Sequence, residues 1–236
     1  MTFSISRRGS RAPSASFGPL STVRYPVNGV SFDMVRVPPG RFLDGEGPTR
    51  RELLVSRPFE LGVAPVTHAL WRSVMGANPA HFQVEDRPVE MVSWVDVQSF
   101  VRTLSQQGLP GFRLPTEAEW VWAARCGVPT RWPGAERVEV VAVVQSSQTA
   151  ATAGLSGSVV GAFDFSGNVR EWVEDRRLDP PSGGVDIHYS GSGLYRIDRG
   201  GSYAHTSEGA RVADRGYDHP SSRSLYLGFR LARAAL

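Results

Sequence analysis

Chemistry requires a nucleophile, an acid or base, or a metal ligand, and this chain offers few candidates. Its one cysteine, Cys126, stands in "AARCG". A single thiol excludes an internal disulfide and a cysteine-rich metal site. A catalytic thiolate needs a base or cation beside it. None can be read nearby, so Cys126 reads as a small buried hydrophobe at a helix end. His188, His205 and His219 fall late in the chain. They could in principle converge on a metal, but loop histidines are more often simply exposed. Glu117 and Glu119 fit a helix start, where acids complement the dipole. Gly167-Asn168 suits a turn with positive φ, and Glu171 with Trp172 would fix the next segment against the core.

The segment richest in side-chain functionality is "RGGSYAHTSEGARVADRGYDHPSSRSLYLGFRLAR", Arg199 to Arg233. Gly200-Gly201 opens it and Gly228-Phe229-Arg230 closes it. Between these brackets no two-residue or helical period survives. Every residue type from Tyr203 to Tyr226 except Glu208 can be reached from an Asn codon by changing its adenines. Lys, Gln, Met, Trp and Asn itself are absent there. Tyr, Ser, Gly, Asp and His make an adaptable binding surface: Tyr supplies contact area at low entropic cost, and Ser and Gly adjust to what they meet. Arg211, Val212, Ala213, Arg215, Pro220 and Arg223 read as fixed supports. The binding positions are then Tyr203, Ala204, His205, Ser207, Gly209, Asp214, Gly216, Tyr217, Asp218, His219, Ser221, Ser222, Ser224, Leu225 and Tyr226, expected mostly exposed on one surface.

Such a loop needs a rigid support, and the preceding sequence supplies the elements. "FDMVRVPPGRFLDG" alternates, turns at Pro38-Pro39-Gly40 and resumes as a second strand. A strand near Leu53 precedes a helix capped by Thr67, with Leu70, Trp71 and Val74 on its apolar face. Ser93 with Asp96 caps the clearest helix, whose Val97, Phe100, Val101 and Leu104 keep helical spacing until Gly108. Thr116 with Glu119 repeats the device, with Trp120, Ala123 and Ala124 facing inward. The Val/Ala/Ser-rich stretch 131–158 carries no placeable pattern, and a Gly/Ser/Pro loop runs over 180–193. The order predicts an α+β fold with long loops and little regular structure.

Composition narrows the function classes. With 236 residues and 41% apolar content, the chain can bury a substantial core. All of its 26 cationic residues are Arg, yet net charge is only +3 and the Arg are dispersed, so no nucleic-acid surface is expected. No apolar run matches a membrane span. Residues 1–30 read as a basic, Ser-rich, loosely ordered arm without an apolar leader, and 31–236 as one domain, with a cytoplasmic location the default expectation.

The motifs "MVRVPPGRF", "PVTHALWRSVMG", "RPVEMVSWVDVQSF", "FRLPTEAEWVWAAR", "FDFSGNVREW", "RGGSY" and "GFRLAR" occur in an order that resembles the formylglycine-generating (sulfatase-modifying) enzyme family. The likeness runs from about Phe32 to Arg233 and implies a C-type-lectin-like fold. It also implies a structural calcium near "GNVREW", for which Asn168 and Glu171 would be the side-chain ligands, while "VEVVAVVQSSQ" offers few oxygens for a second. The family's oxidase chemistry rests on a late pair of cysteines that holds copper(I). Here His205 stands where the first would fall, and no thiol occurs near Glu208 to Ala210. Iron-binding sulfoxide synthases of this fold carry an extra helical domain with His ligands, and no such domain is read in these 236 residues. Tyr203 to Tyr226 instead resembles the variable region of proteins diversified by retroelements that rewrite Asn codons at the C-terminus of such a domain. The resemblance implies a non-catalytic protein that binds a protein or other macromolecule and requires no cofactor, a structural calcium being optional. The alternative is an enzyme or pseudoenzyme of the same family, a metal-dependent oxidoreductase of unknown substrate.

Overall fold

The computed structural model describes residues 20–235 apart from 46, 126, 129 and 180. The expected role of Cys126 and most of the N-terminal arm therefore lie outside the described residues. The end of that arm is ordered: Thr22–Val27 form strand β1, an antiparallel hairpin with β2 (Val30–Val37). Asn28 and Gly29 both have positive φ, as a two-residue hairpin turn requires.

Beyond β2 the chain continues into β3 (Gly40–Asp44), β4 (Arg51–Val55) and β5 (Phe59–Gly62). The two strands read from "FDMVRVPPGRFLDG" do not pair with each other. β2 joins β5, while β3 joins β4, because Pro38 and Pro39 carry the chain from one sheet to the next. Helix α1 (His68–Met75) begins where Leu70 N–H donates to Thr67 Oγ1. Helix α2 (Trp94–Gln106) carries the full capping box of Ser93 and Asp96.

After β6 (Phe112–Arg113) comes α3 (Glu117–Arg125). Glu119 N–H donates to Thr116 Oγ1, and the Thr116 N–H returns to the Glu119 carboxylate. Sequence spacing gave α3 a single apolar face. It is buried nearly all round, Val121 and Trp122 included, since α3 lies between two sheets. Trp122 stacks on Phe42 of β3 and donates to the Pro38 carbonyl, while Trp120 packs edge-on to Phe165.

The unplaced stretch 131–158 forms a short 3₁₀ turn and strand β7 (Ala142–Val143), paired with β8 (Ser166–Gly167). Then come β9 (Arg170–Arg176), β10 (Gly184–Val185), β11 (Arg196–Arg199), β12 (Arg215–Asp218), β13 (Leu227–Phe229) and β14 (Ala232–Ala234). The sheets read β1-β2-β5-β14-β6, β10-β4-β3, β12-β11-β9-β13 and β7-β8. β14 lies between β5 and β6 in the first sheet, so the last strand joins the sheet that the first hairpin begins. One apolar cluster surrounds Trp120, Trp122 and Phe165. The other joins Trp71 and Phe100 to Trp172 and Phe229, so the C-terminal bracket is core. This is the expected α+β, C-type-lectin-like architecture.

Candidate functional site: the face carried by β12 and its flanking loops

The bracketing residues are held by close backbone approach. Gly200 and Gly201 have φ of 95° and 65°, and a Cβ on Gly201 would lie 2.3 Å from the Gly209 carbonyl oxygen. A Cβ on Gly228 would meet the Val89 carbonyl at 2.5 Å. Phe229 is fully buried, edge-on to Trp71 and Phe100.

Arginines hold the loop from beneath. Arg199, fully buried, donates to the carbonyls of Val212, Ala213 and Asp214 and pairs with Glu117 and Asp44. Arg215 pairs with Glu117, and Arg223 with Asp96 on α2. The 131–158 stretch supports the other end: Gln145 and Ser146 donate to the carbonyls of His205 and Tyr203.

Of the residues read as binding positions, Ala204, Tyr217, His219, Ser221 and Tyr226 are exposed. His205, Ser207, Gly209, Asp214, Gly216, Asp218, Ser222, Ser224 and Leu225 are half-buried. Two depart from the expectation. Tyr203 is only 4% exposed, its ring packed between Phe82 (5.7 Å) and Tyr226 (5.4 Å). Gly216 has no room for a side chain, since a Cβ there would lie 2.2 Å from both Arg170 Nη2 and Asp198 Oδ1.

Arg170 is the hub the sequence did not single out. Its guanidinium forks onto the buried Asp198 (2.6 Å twice), and Nη1 lies 3.6 Å from Asp218 Oδ2. Burial raises the Asp198 carboxyl to about 6 even against the pull of Arg170. Burial and the Arg170 charge together lower the His205 pKa, while Asp214 opposes them. Arg170 N–H also donates to the Tyr226 carbonyl (2.6 Å). His205 and Asp218 thus both feel the one fixed charge of Arg170. Phe82 and Glu90 lie behind Tyr203: Phe82 N–H donates to Glu90 Oε1, and burial raises the Glu90 carboxyl. Strand alternation within "NVREW" could have flagged Arg170, but no local signal marks Phe82 or Glu90.

Tyr217 does not join this group. Alternation along β12 turns it to the opposite side from Gly216 and Asp218. There it packs on Tyr195 (5.5 Å) beneath the Arg177 guanidinium. The single surface expected from the sequence is therefore split across the two faces of β12.

The residues matched to the family's calcium do not suit that ion. Asn168, at φ 56° in the expected turn, spends its carboxamide on both backbone groups of Ala150. Glu171 receives two bonds from Arg230 (both 2.6 Å) and one from Trp120 Nε1 (2.8 Å). Neither side chain keeps a free oxygen for a hard cation. The histidines have separate partners: His205 Nδ1 contacts Ser202 Oγ (2.7 Å) and His219 Nδ1 contacts Ser221 Oγ (2.7 Å). Among the described residues no three His, Cys, Asp or Glu side chains group to hold a metal. Ser202 itself is fully buried, which leaves its hydroxyl no approach for a substrate.

A family description, the sulfatase-modifying factor enzyme 1-like domain, matches residues 24–235, nearly all of the described chain. The chain belongs to this family. The formylglycine-generating enzyme of Streptomyces coelicolor is 34% identical over 196 residues, 72% of this chain. The chain spans 60% of that enzyme's length. Treponema denticola variable protein 1 superposes with a TM-score of 0.83 at 29% identity, over 91% of this chain and 99% of that one. PvdO from Pseudomonas aeruginosa shares the fold at 22% identity and a TM-score of 0.79, over 93% of this chain and 100% of its own. Among the described residues of this family member, no helix is long and apolar enough to cross a membrane.

Proposed function

We propose that this protein is a non-catalytic ligand-binding protein that displays its C-terminal segment on a constant scaffold, in the manner of retroelement-diversified variable proteins. The observation that carries this reading is the likeness to Treponema denticola variable protein 1 over nearly the whole of both chains. The placement of the segment supports it. Irregular residues rich in Tyr, Ser, His and Asp lie at or near the surface, while the brackets and Arg199 are buried and Arg211 and Arg215 half-buried. The ligand is a protein or other macromolecule, recognised by aromatic and polar side chains around Arg170. Neither a calcium nor another cofactor is required.

The test is a library randomised at Ala204, His205, Ser207, Asp218, His219, Ser221, Ser222 and Tyr226 together. Most members should still fold and melt cooperatively, since surface substitutions change stability by about 0.5 kcal/mol or less each, at most about 4 kcal/mol over the eight positions. A library in which most members fail to fold would sink the reading. The gene neighbourhood gives an independent check: a near-copy of the 3′ end rich in Asn codons, beside a reverse transcriptase, is the expected arrangement.

A further inference from the structure

β12 is the outer strand of its sheet: one edge pairs with β11, and no strand lies along the other. None of its four residues is buried, whereas all four of β11 are. Apart from the ladder with β11, no hydrogen bond among the described residues uses a main-chain group of Arg215 to Asp218. Main-chain groups along a strand point alternately to its two edges, so those on the outer edge of β12 are open. Such an edge is a template on which an extended chain can pair.

The two faces beside this edge differ in chemistry. On one, the Asp218 side chain is 37% exposed and accepts no hydrogen bond among the described residues. Arg170 Nη1 lies 3.6 Å from it, but Nε and Nη2 of the same guanidinium are spent on Asp198. Arg196, opposite Asp218 in the ladder, lies over the Trp94 ring and donates to the Glu174 carbonyl. An incoming cation therefore meets a carboxylate that is only partly matched. On the other face Tyr217, 44% exposed, packs on Tyr195, whose chain neighbour Leu194 is 72% exposed. Arg177 already covers the Tyr217 ring, so a second cation there would meet like charge. Apolar side chains suit that face instead.

Building on the display reading, on which this rests, we propose that the partner presents an extended polypeptide segment that adds a strand to the outer edge of β12. Its apolar residues lie against Tyr217 and Tyr195, and the alternate residues, Lys or Arg, point toward Asp218. Side chains of an added strand alternate between the two faces, so one ligand reaches the binding positions that β12 divides. Main-chain pairing supplies affinity whatever the displayed side chains are, and those side chains supply specificity. The probe is a fluorescently labelled peptide of alternating Val and Lys, about six residues, an ordinary strand length. Titrated into the full chain, it should give a saturable rise in anisotropy. The same peptide with Glu for every Lys, or with every main-chain nitrogen methylated, should not. Amide hydrogen exchange in β12 should slow when the peptide is bound, which contact through side chains alone would not produce. Tyr217→Ala should weaken binding about fivefold, as one aromatic contact does, and Asp218→Asn about threefold, as an exposed ion pair does. Neither side chain is buried, so both variants should fold, which their melts check. No saturable binding, equal binding of the methylated peptide, unchanged exchange in β12, or unchanged affinity in both folded variants would overturn the proposal. The randomised library and the gene neighbourhood do not involve this peptide, so a library that folds while the peptide fails sinks strand addition alone.

Discussion

At the scale of single residues, the outcome turns on which side chains are already committed to partners. Glu171 fits a metal ligand by position, yet Arg230 and Trp120 occupy both of its oxygens in a fully buried pair. Such a carboxylate is a structural anchor, since a buried charge must be matched locally. The same logic applies to Gly216, where the missing side chain makes room for the Arg170–Asp198 fork. Gly216→Ser should therefore lower stability by about 1–3 kcal/mol, the cost of overpacking. Ser222→Gly in the neighbouring loop should change it by less than about 0.5 kcal/mol. Urea melts of the two variants decide this, and equal values would remove Gly216 from the scaffold. His205 bears on catalysis. The resemblance to the formylglycine-generating enzymes implies that it stands where their first copper-binding cysteine would fall; its Nδ1 is taken by Ser202 and no thiol lies at Glu208 to Ala210. Incubation with a cysteine-containing sulfatase peptide, copper(I) and oxygen should yield no formylglycine above a no-enzyme control. Product above that level would establish the enzyme reading instead.

Among the elements, α3 does the most to join scaffold and display. It lies between the sheet of β3 and β4 and the sheet of β9, with Trp122 facing one and Trp120 the other. Its first turn carries Glu117, which accepts from Arg51, Arg199 and Arg215 and so ties the loop before β12 to the helix N-terminus. Burial alone would raise the Glu117 carboxyl, but the three arginines outweigh it and lower the pKa. Truncating Trp120 opens a large cavity beside Glu171 and orphans one of its bonds. Trp120→Ala should cost about 3–5 kcal/mol. A thermal melt unchanged by that substitution would contradict the core assignment.

For the molecule as a whole, buried carboxylates of opposite tendency shape the pH response. Burial and the neighbouring Glu117 raise Asp175 to about 7, and burial raises Asp198 to about 6. Each binds its proton more tightly folded than unfolded, so its contribution is present below the ordinary carboxylate value and is lost as pH climbs through the raised one. Asp44 behaves in the opposite sense. Burial alone would raise it, but Arg199 and Arg51 outweigh that and hold it near 2. For Asp96, burial is outweighed mainly by Arg223 and Ser93, again to about 2. These two contributions are present above the ordinary carboxylate value and are lost as pH falls through the lowered one. Stability should therefore peak at about pH 4–5 and decline toward pH 8. Melting temperatures across that range test it, and a steady rise from pH 5 to 8 would show that Asp175 and Asp198 are ionised in the folded chain at little cost.

The amino-acid sequence by itself determined what local backbone chemistry controls. The caps at Thr67, Ser93 and Thr116, the positive-φ turn at Gly167-Asn168 and the glycine bracket at Gly200-Gly201 each depend on hydrogen bonds or dihedrals within a few residues. Several such motifs in fixed order were enough to indicate the family and its fold. Tertiary structure alone decided which polar groups were spent and which way the loop side chains faced. Arg230 reaches Glu171 across 59 residues of chain, and Arg199 reaches Asp44 across 155. No local pattern reports such pairings. The irregular segment has no period from which to read a face, so the burial of Tyr203 against Phe82 and the pairing of β12 with β11, which fixes the side Tyr217 takes, emerged only from the tertiary structure.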